Sequence, residues 1–182
     1  MENILEKIKV LISEERIIER MRQMAEQINE DYAGKEIKLI CVLKGGVYAL
    51  CELSKYIKVP VKLDFMCVSS YENETVSSGR VKIVKDLDLS IEGEDVLVVE
   101  DIIDSGRTLT YLFELLKSRK PNSVKLCTLL DKPDRRVPEA NINVDYTGFE
   151  IPDEFVVGYG LDYAQKYRNL PYIGVVEIDE QE

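Results

Sequence analysis

The chain contains no histidine. That absence excludes Ser-His-Asp triads, histidine-ligated metal centres and imidazole general bases. Proton transfer near neutral pH must then rest on a carboxylate, a lysine, a tyrosine or a cysteine. No apolar stretch approaches the ~20 residues of a membrane span, and the segment from Met1 to Lys7 lacks a signal-peptide pattern. The expectation is a cytoplasmic protein with no membrane partner. The four cysteines, Cys41, Cys51, Cys67 and Cys127, form no CxxC pair. Buried reduced thiols are favoured over a disulfide or a zinc site. Neither GxGxxG nor GxxxxGK[ST] occurs, so any phosphate must be held by another kind of loop. No long Lys/Arg cluster offsets the formal net charge of -10. An acidic surface repels nucleic acid, which is excluded as the main partner. Internal repeats and low-complexity linkers are also missing.

What is present is a globular composition, 45% hydrophobic and 32% charged over 182 residues, which suits one domain spanning 1–182. Ser13 precedes Glu14 and Glu15, and Ile17, Met21, Met24, Ala25 and Ile28 then recur on one helical face. Ser13 is expected to cap this helix, and Gly34 to end it. Ile37 to Leu43 is almost continuously apolar, as in a parallel strand buried on both faces. It runs into Lys44-Gly45-Gly46 and a helix reaching about Tyr56. Further strands are expected at Val61–Cys67, Val81–Lys85, Val96–Val99, Val124–Leu130, Phe155–Val157 and Ile173–Val176. Strands alternating with helices predict an α/β fold, a mostly parallel twisted sheet flanked by helices.

The most informative stretch is Val96 to Thr108. An apolar run to Val99 gives way to Glu100 and Asp101, then Ile102, Ile103, Asp104 and the polar turn Ser105-Gly106-Arg107-Thr108. Leu109, Leu112, Phe113, Leu115 and Leu116 follow with helical spacing. Backbone N–H groups at the start of such a helix, with two hydroxyls, form a cradle for a 5′-phosphate. Glu100 and Asp101 beside it can accept bonds from ribose hydroxyls or hold Mg²⁺. Lys44-Gly45-Gly46 reads equally well as a plain strand-to-helix turn or as an anion loop. Taken singly, Lys132 reads as an exposed turn lysine, Phe155 as core, and Asp162 and Arg168 as surface charges.

Together these segments resemble the type I phosphoribosyltransferases. Val99 to Thr108 resembles their phosphoribosyl pyrophosphate signature. With Leu43–Gly46, Val68–Tyr71, Asp131–Pro133, Phe155–Tyr163 and Arg168, the set is similar to the branch acting on 6-oxopurines. The resemblance implies purine salvage: ribose 5-phosphate moves from phosphoribosyl pyrophosphate to hypoxanthine, and to guanine, giving IMP or GMP and pyrophosphate. It implies Mg²⁺ as cofactor and a homodimer or homotetramer. A small hood from the N- and C-terminal segments and a mobile lid hairpin at 69–79 are implied as well.

The same resemblance assigns roles. Glu100 and Asp101 would hold ribose and metal, with Asp162 serving a second ion. Asp104 would take or partner the purine N7 proton, a task that suits a carboxyl whose pKa is raised by neighbouring acids. Asp104, Ser105, Gly106, Arg107 and Thr108 would bind the 5′-phosphate. Lys44, Gly45 and Arg168 would bind pyrophosphate, with a cis peptide between Leu43 and Lys44. Lys132 would donate to the 6-oxo group, Phe155 would stack on the purine, and Val156 would border its 2-position. Ser70 and Tyr71 would form the lid tip, which excludes water from the reacting centre. Glu154 stands where a basic residue is common, which bears on guanine and xanthine. Two alternatives stay open: a xanthine-preferring enzyme, and a phosphoribosyl-pyrophosphate-sensing regulator that binds nucleic acid.

Overall fold

Residues buried on both faces must alternate between two cores, and the strand β2 (Ile37–Leu43) does so. Ile37, Leu39 and Cys41 enter one apolar cluster, Ile40 and Val42 the other. The same division repeats in β5 (Asp95–Ile103), where Leu97 and Val99 face the first core and Val96 and Val98 the second. In the computed structural model, which describes residues 8–70 and 81–177, these strands lie side by side in a six-stranded sheet. Its order is β4-β3-β2-β5-β6-β7. Here β3 is Val61–Ser70, β4 Val81–Lys85, β6 Ser123–Asp131 and β7 Tyr146–Glu150. All neighbours run parallel except β3 and β4, which form an antiparallel pair from Cys67↔Lys85 to Ser70↔Val81.

Helices cover both faces. The first core holds α1 (Glu14–Asp31) and α2 (Val47–Ser54); the second holds α3 (Arg107–Ser118). Ile17, Met21, Met24, Ala25 and Ile28 of α1 are all buried, as their spacing predicts. Ser13 occupies the cap position, but its side chain makes no capping bond. Its hydroxyl instead favours the charged Glu15 carboxylate and holds that group below the usual carboxylate range.

Two strands escaped the sequence reading. The strand β1 (Ile8–Ile12) pairs antiparallel with β9 (Ile173–Val176), which also pairs with β8 (Val156–Val157), making a separate three-stranded sheet. The other omission, β7, is the edge strand beyond β6. One expected boundary is wrong. The strand does not stop at Val99: it continues through Glu100 and Asp101 to Ile103, pairing Glu100↔Thr128, Ile102↔Leu130 and Ile103↔Asp131. The acids are strand residues, held by the ladder rather than by a turn. Of the lid expectation, Ser70 is the last residue of β3, and Tyr71 to Gly79 lie outside the described residues. No described helix is long and apolar enough to cross a membrane.

Candidate active site

Strand order fixes where a ligand can sit. From β2 the chain winds to β3 in one direction, and from β5 to β6 and β7 in the other. The crevice beyond the carboxyl ends of β2 and β5 is therefore the topological switch point, where open α/β sheets bind ligands. The turn after β2 is Lys44-Gly45-Gly46 and the turn after β5 is Asp104-Ser105-Gly106. The two segments that chemistry singled out flank one crevice.

The β5 side supplies the anion cradle. Gly106 precedes α3 with φ +79°, a left-handed conformation that glycine adopts without a Cβ penalty. It frees the first amides of a 12-residue helix to face the turn. A recess of about 150 Å³ opens there, lined by Glu100, Asp104, Ser105, Gly106 and Thr108. Arg107 begins the helix but is exposed and not part of that lining.

The two strand acids are electrostatically costly. Burial, then repulsion from Asp101, pushes the Glu100 carboxyl well above its ordinary range. Burial also raises Asp101, with a further push from Asp162 that Arg168 opposes. Beneath them, burial and these same two carboxylates push the Cys41 thiol up to about 12. Cys41 and Cys127 are buried free thiols, as expected, whereas Cys67 is half-buried and Cys51 is exposed on α2.

On the β2 side, the peptide between Leu43 and Lys44 is cis, as the resemblance implied. Gly45 is pressed between two neighbours. A Cβ there would collide with the Asp101 carboxylate, and a Cβ on Gly160 would collide with the Gly45 carbonyl. Asp101, Gly45 and Gly160 thus lock together three distant segments. The loop carrying Gly160 also carries Asp162 and Arg168, which pair at 2.6 Å. Arg168 donates a second bond to the Gly160 carbonyl at 2.7 Å. Lys44 reaches this loop through Gln165 Oε1 at 3.0 Å.

At the end of β6, Lys132 is 8% exposed, so it is no surface turn lysine. Its ammonium donates to the Glu154 carbonyl at 2.7 Å and lies 3.7 Å from Asp153. Its backbone N–H donates to the Ile103 carbonyl at 3.0 Å, which ties it to the acid strand. Phe155, next in the chain after Glu154, is 48% exposed and is not core. Its ring meets Tyr163 edge-on, centroids 5.6 Å apart at 83°. Val156 is buried in β8.

Asp104 has an unexpected neighbour. The acids of β5 were expected to condition it, but its carboxylate accepts from Arg135 Nε at 3.0 Å, and Arg135 also reaches Asp153 at 3.3 Å. Arg135 and Gln165 were missed from sequence, and Tyr163, within the segment Phe155–Tyr163, was given no role. No local pattern marks them; they acquire meaning only through partners distant in the chain. No cluster of three or more Asp, Glu, Cys or His side chains able to hold a metal forms among the described residues.

The arrangement offers an anion cradle, one buried and one half-buried acid, a cation pair, and an exposed aromatic next in the chain to the carbonyl that holds a buried ammonium. A family model for the phosphoribosyl transferase domain matches residues 11–164. A protein of Streptococcus thermophilus named hypoxanthine-guanine phosphoribosyltransferase is 53% identical over 93% of both chains. A Bacillus subtilis protein of the same name is 55% identical, again over 93% of each. A solved hypoxanthine phosphoribosyltransferase from Staphylococcus aureus superposes with a TM-score of 0.91 at 47% identity, covering 97% of this chain and 96% of that one.

Proposed function

This chain belongs to the phosphoribosyltransferase family, and we propose that its crevice transfers ribose 5-phosphate from phosphoribosyl pyrophosphate to hypoxanthine and guanine in purine salvage. The observation that carries the acceptor is Lys132, a buried ammonium bonded to the carbonyl of Glu154, the residue before the exposed Phe155. An ammonium has donors only, so it matches a 6-oxo acceptor and mismatches the 6-amino group of adenine. Phe155 offers a face for stacking, and the Val156 backbone borders the 2-position. A xanthine-preferring enzyme and a nucleic-acid-binding regulator gain no support from relatives whose names specify hypoxanthine and guanine.

In the transfer, a purine nitrogen bonds to ribose C1 as the C1–O bond to pyrophosphate breaks, its electron pair leaving with the pyrophosphate. The helix start at Ser105 to Thr108, with Arg107 near its mouth, holds the 5′-phosphate. Glu100 and Asp101 hold the ribose hydroxyls. Asp104 takes the proton that the base loses at N7, and Arg135 steadies the carboxylate beforehand. Lys44, the Gly45 amide and Arg168 hold the departing pyrophosphate.

The donor set fits Mg²⁺: hard carboxylate oxygens at Glu100, Asp101 and Asp162, the first two raised chiefly by burial. Magnesium is commonly held by one or two carboxylates completed by substrate oxygens, in keeping with the lack of a larger acid cluster among the described residues. When bound, it would neutralise charge on the pyrophosphate. The sheet β1-β9-β8 would serve as the hood of a single domain, and the segment at 69–79, with Ser70 and Tyr71, as the lid. A cytoplasmic homodimer or homotetramer completes the reading.

Pyrophosphate release, measured against a panel of bases, tests the acceptor. Hypoxanthine and guanine should turn over and adenine should not. Lys132→Ala should lower kcat/KM for hypoxanthine by about 10- to 100-fold, the range for a hydrogen bond to a charged group, and narrow the gap to adenine. An intact preference in that variant would move the selector elsewhere.

A further inference from the structure

The Asp162–Arg168 loop contains a feature that binding alone does not require. Tyr163 and Lys166 exchange backbone hydrogen bonds at 3.1 and 2.9 Å. Between them Ala164 and Gln165 form a two-residue turn with φ +48° and +65°. Two-residue turns with both φ values positive favour Asn and Gly. Non-glycine residues are strained in that conformation, and such outliers gather at functional sites.

What the turn achieves is the aim of one side chain. Gln165 Oε1 accepts from Lys44 Nζ at 3.0 Å and from Arg168 Nη2 at 3.5 Å. The Gln165 backbone N–H and Nε2 both donate to Asp162 Oδ2, at 2.8 and 3.4 Å. One neutral oxygen thus stands between the two cations assigned to pyrophosphate. Meanwhile Arg168 Nε is buried and makes no hydrogen bond among the described residues. A buried guanidinium donor without an acceptor is costly, and it marks a place where a ligand oxygen belongs.

We propose that Gln165 is a removable placeholder for a pyrophosphate oxygen: its amide holds Lys44 and Arg168 in position and yields to the diphosphate when it arrives. The inference rests on the phosphoribosyltransferase reading of this site. Neutrality is the essential property. An amide oxygen has two lone pairs but no formal charge, and charge-assisted bonds to phosphate are roughly twice as strong. The ligand therefore displaces the amide. A carboxylate at this position would compete on equal terms and keep the cations. The strained turn keeps the placeholder near the exchange point instead of letting it relax into solvent. Gln165 in this role is a positioning residue, since it leaves as the ligand binds.

The test is equilibrium binding of inorganic diphosphate with Mg²⁺ to the full chain, by calorimetry, with binding of IMP, which carries no diphosphate, as the control. Gln165→Glu should weaken diphosphate about tenfold or more, the difference between neutral and charge-assisted bonds. Gln165→Ala should bind diphosphate at least as tightly as the wild type. IMP affinity should not change in either variant. Weaker binding by Gln165→Ala would make Gln165 a direct ligand, and unchanged binding by Gln165→Glu would remove the competition; either overturns the placeholder. Loss of IMP and diphosphate together would make Gln165 a folding residue, with the same consequence. If wild-type protein binds no diphosphate at all, the reading of the site fails, not the placeholder alone.

Discussion

A carboxylate that is to receive a proton needs a partner that leaves without great cost, and Asp104 has one in Arg135. Their side chains are 48% and 50% exposed and 3.0 Å apart, and exposed pairs of this kind contribute only about 0–1 kcal/mol. A purine entering between Lys132 and Phe155 can therefore replace Arg135 at Asp104 without breaking a strong bond. Asparagine keeps the shape of the aspartate and can still bond Arg135 through its amide oxygen, but it cannot accept a proton. Asp104→Asn should lower kcat by about 10²- to 10⁴-fold, the usual range for a lost general base, while KM for hypoxanthine changes only a few-fold. Steady-state kinetics on the purified variant decides it, and unchanged turnover would remove Asp104 from proton transfer. The sequence singles Asp104 out because three acids around a helix start are unusual. It does not single out the partner. Arg135 lies 31 positions away, and an arginine after Pro133 and Asp134 looks like any turn residue until the fold brings it across β5 and β6.

Elements differ in legibility for a physical reason. The central strands β2, β5 and β6 are buried on both faces, so their sequences are apolar runs that little else explains. The strands β1 and β7 lie at sheet edges and are only five residues long, with mixed burial; alternation over so few positions cannot be told from an irregular segment. The end of β5 was misjudged because acids at a strand terminus look like the start of a loop, whereas the ladder to β6 carries them onward. Likewise Lys44 and Gln165 are 121 positions apart, a separation no local pattern spans. The loop after β2 gives a prediction at this scale. The Gly45 backbone does not have a left-handed φ, so alanine is conformationally acceptable there. Its methyl group, however, would occupy the space of the Asp101 carboxylate. Gly45→Ala should fold, losing about 1–3 kcal/mol as overpacked sites do. It should also cut kcat/KM for phosphoribosyl pyrophosphate at least about tenfold, since a misplacement of about 1 Å at a positioning group can cost as much as about 10²-fold. Wild-type kinetics in a folded variant would show that the contact with Asp101 is dispensable.

For the whole molecule, charge enters through groups scattered over every layer, and their signs oppose. Glu100 and Asp101 are raised by burial, so ionising them as pH climbs works against folding. A second set is lowered. The Arg119 guanidinium grips both oxygens of Asp86 at 2.7 Å. Bonds from Tyr146 and Lys125 lower Asp31, and bonds from Ser123 and Asn122 lower Asp95. Burial pushes Glu94 up, but Lys38 and Lys62 outweigh it. Glu52 on α2 has the same balance: burial raises it, but Lys55 at 2.6 Å and Tyr56 at 2.7 Å bring it below the usual range. A carboxyl whose folded pKa lies below its unfolded value adds stability above that unfolded value, about 4.3 for glutamate. It loses the contribution as pH falls through the folded value. The melting temperature should therefore drop steeply below about pH 4. Glu52 isolates one part of that fall, because it is 9% exposed and its two partners follow closely in sequence, just beyond the end of α2. Glutamine keeps the bond from Tyr56 and removes the charge that Lys55 pairs with. Glu52→Gln should melt below the wild type at pH 7, with the gap narrowing as both proteins are taken to pH 3, where the wild-type carboxyl also becomes neutral. Calorimetric scans at the two pH values read this directly. A gap of the same size at both would assign the effect to lost packing rather than to charge.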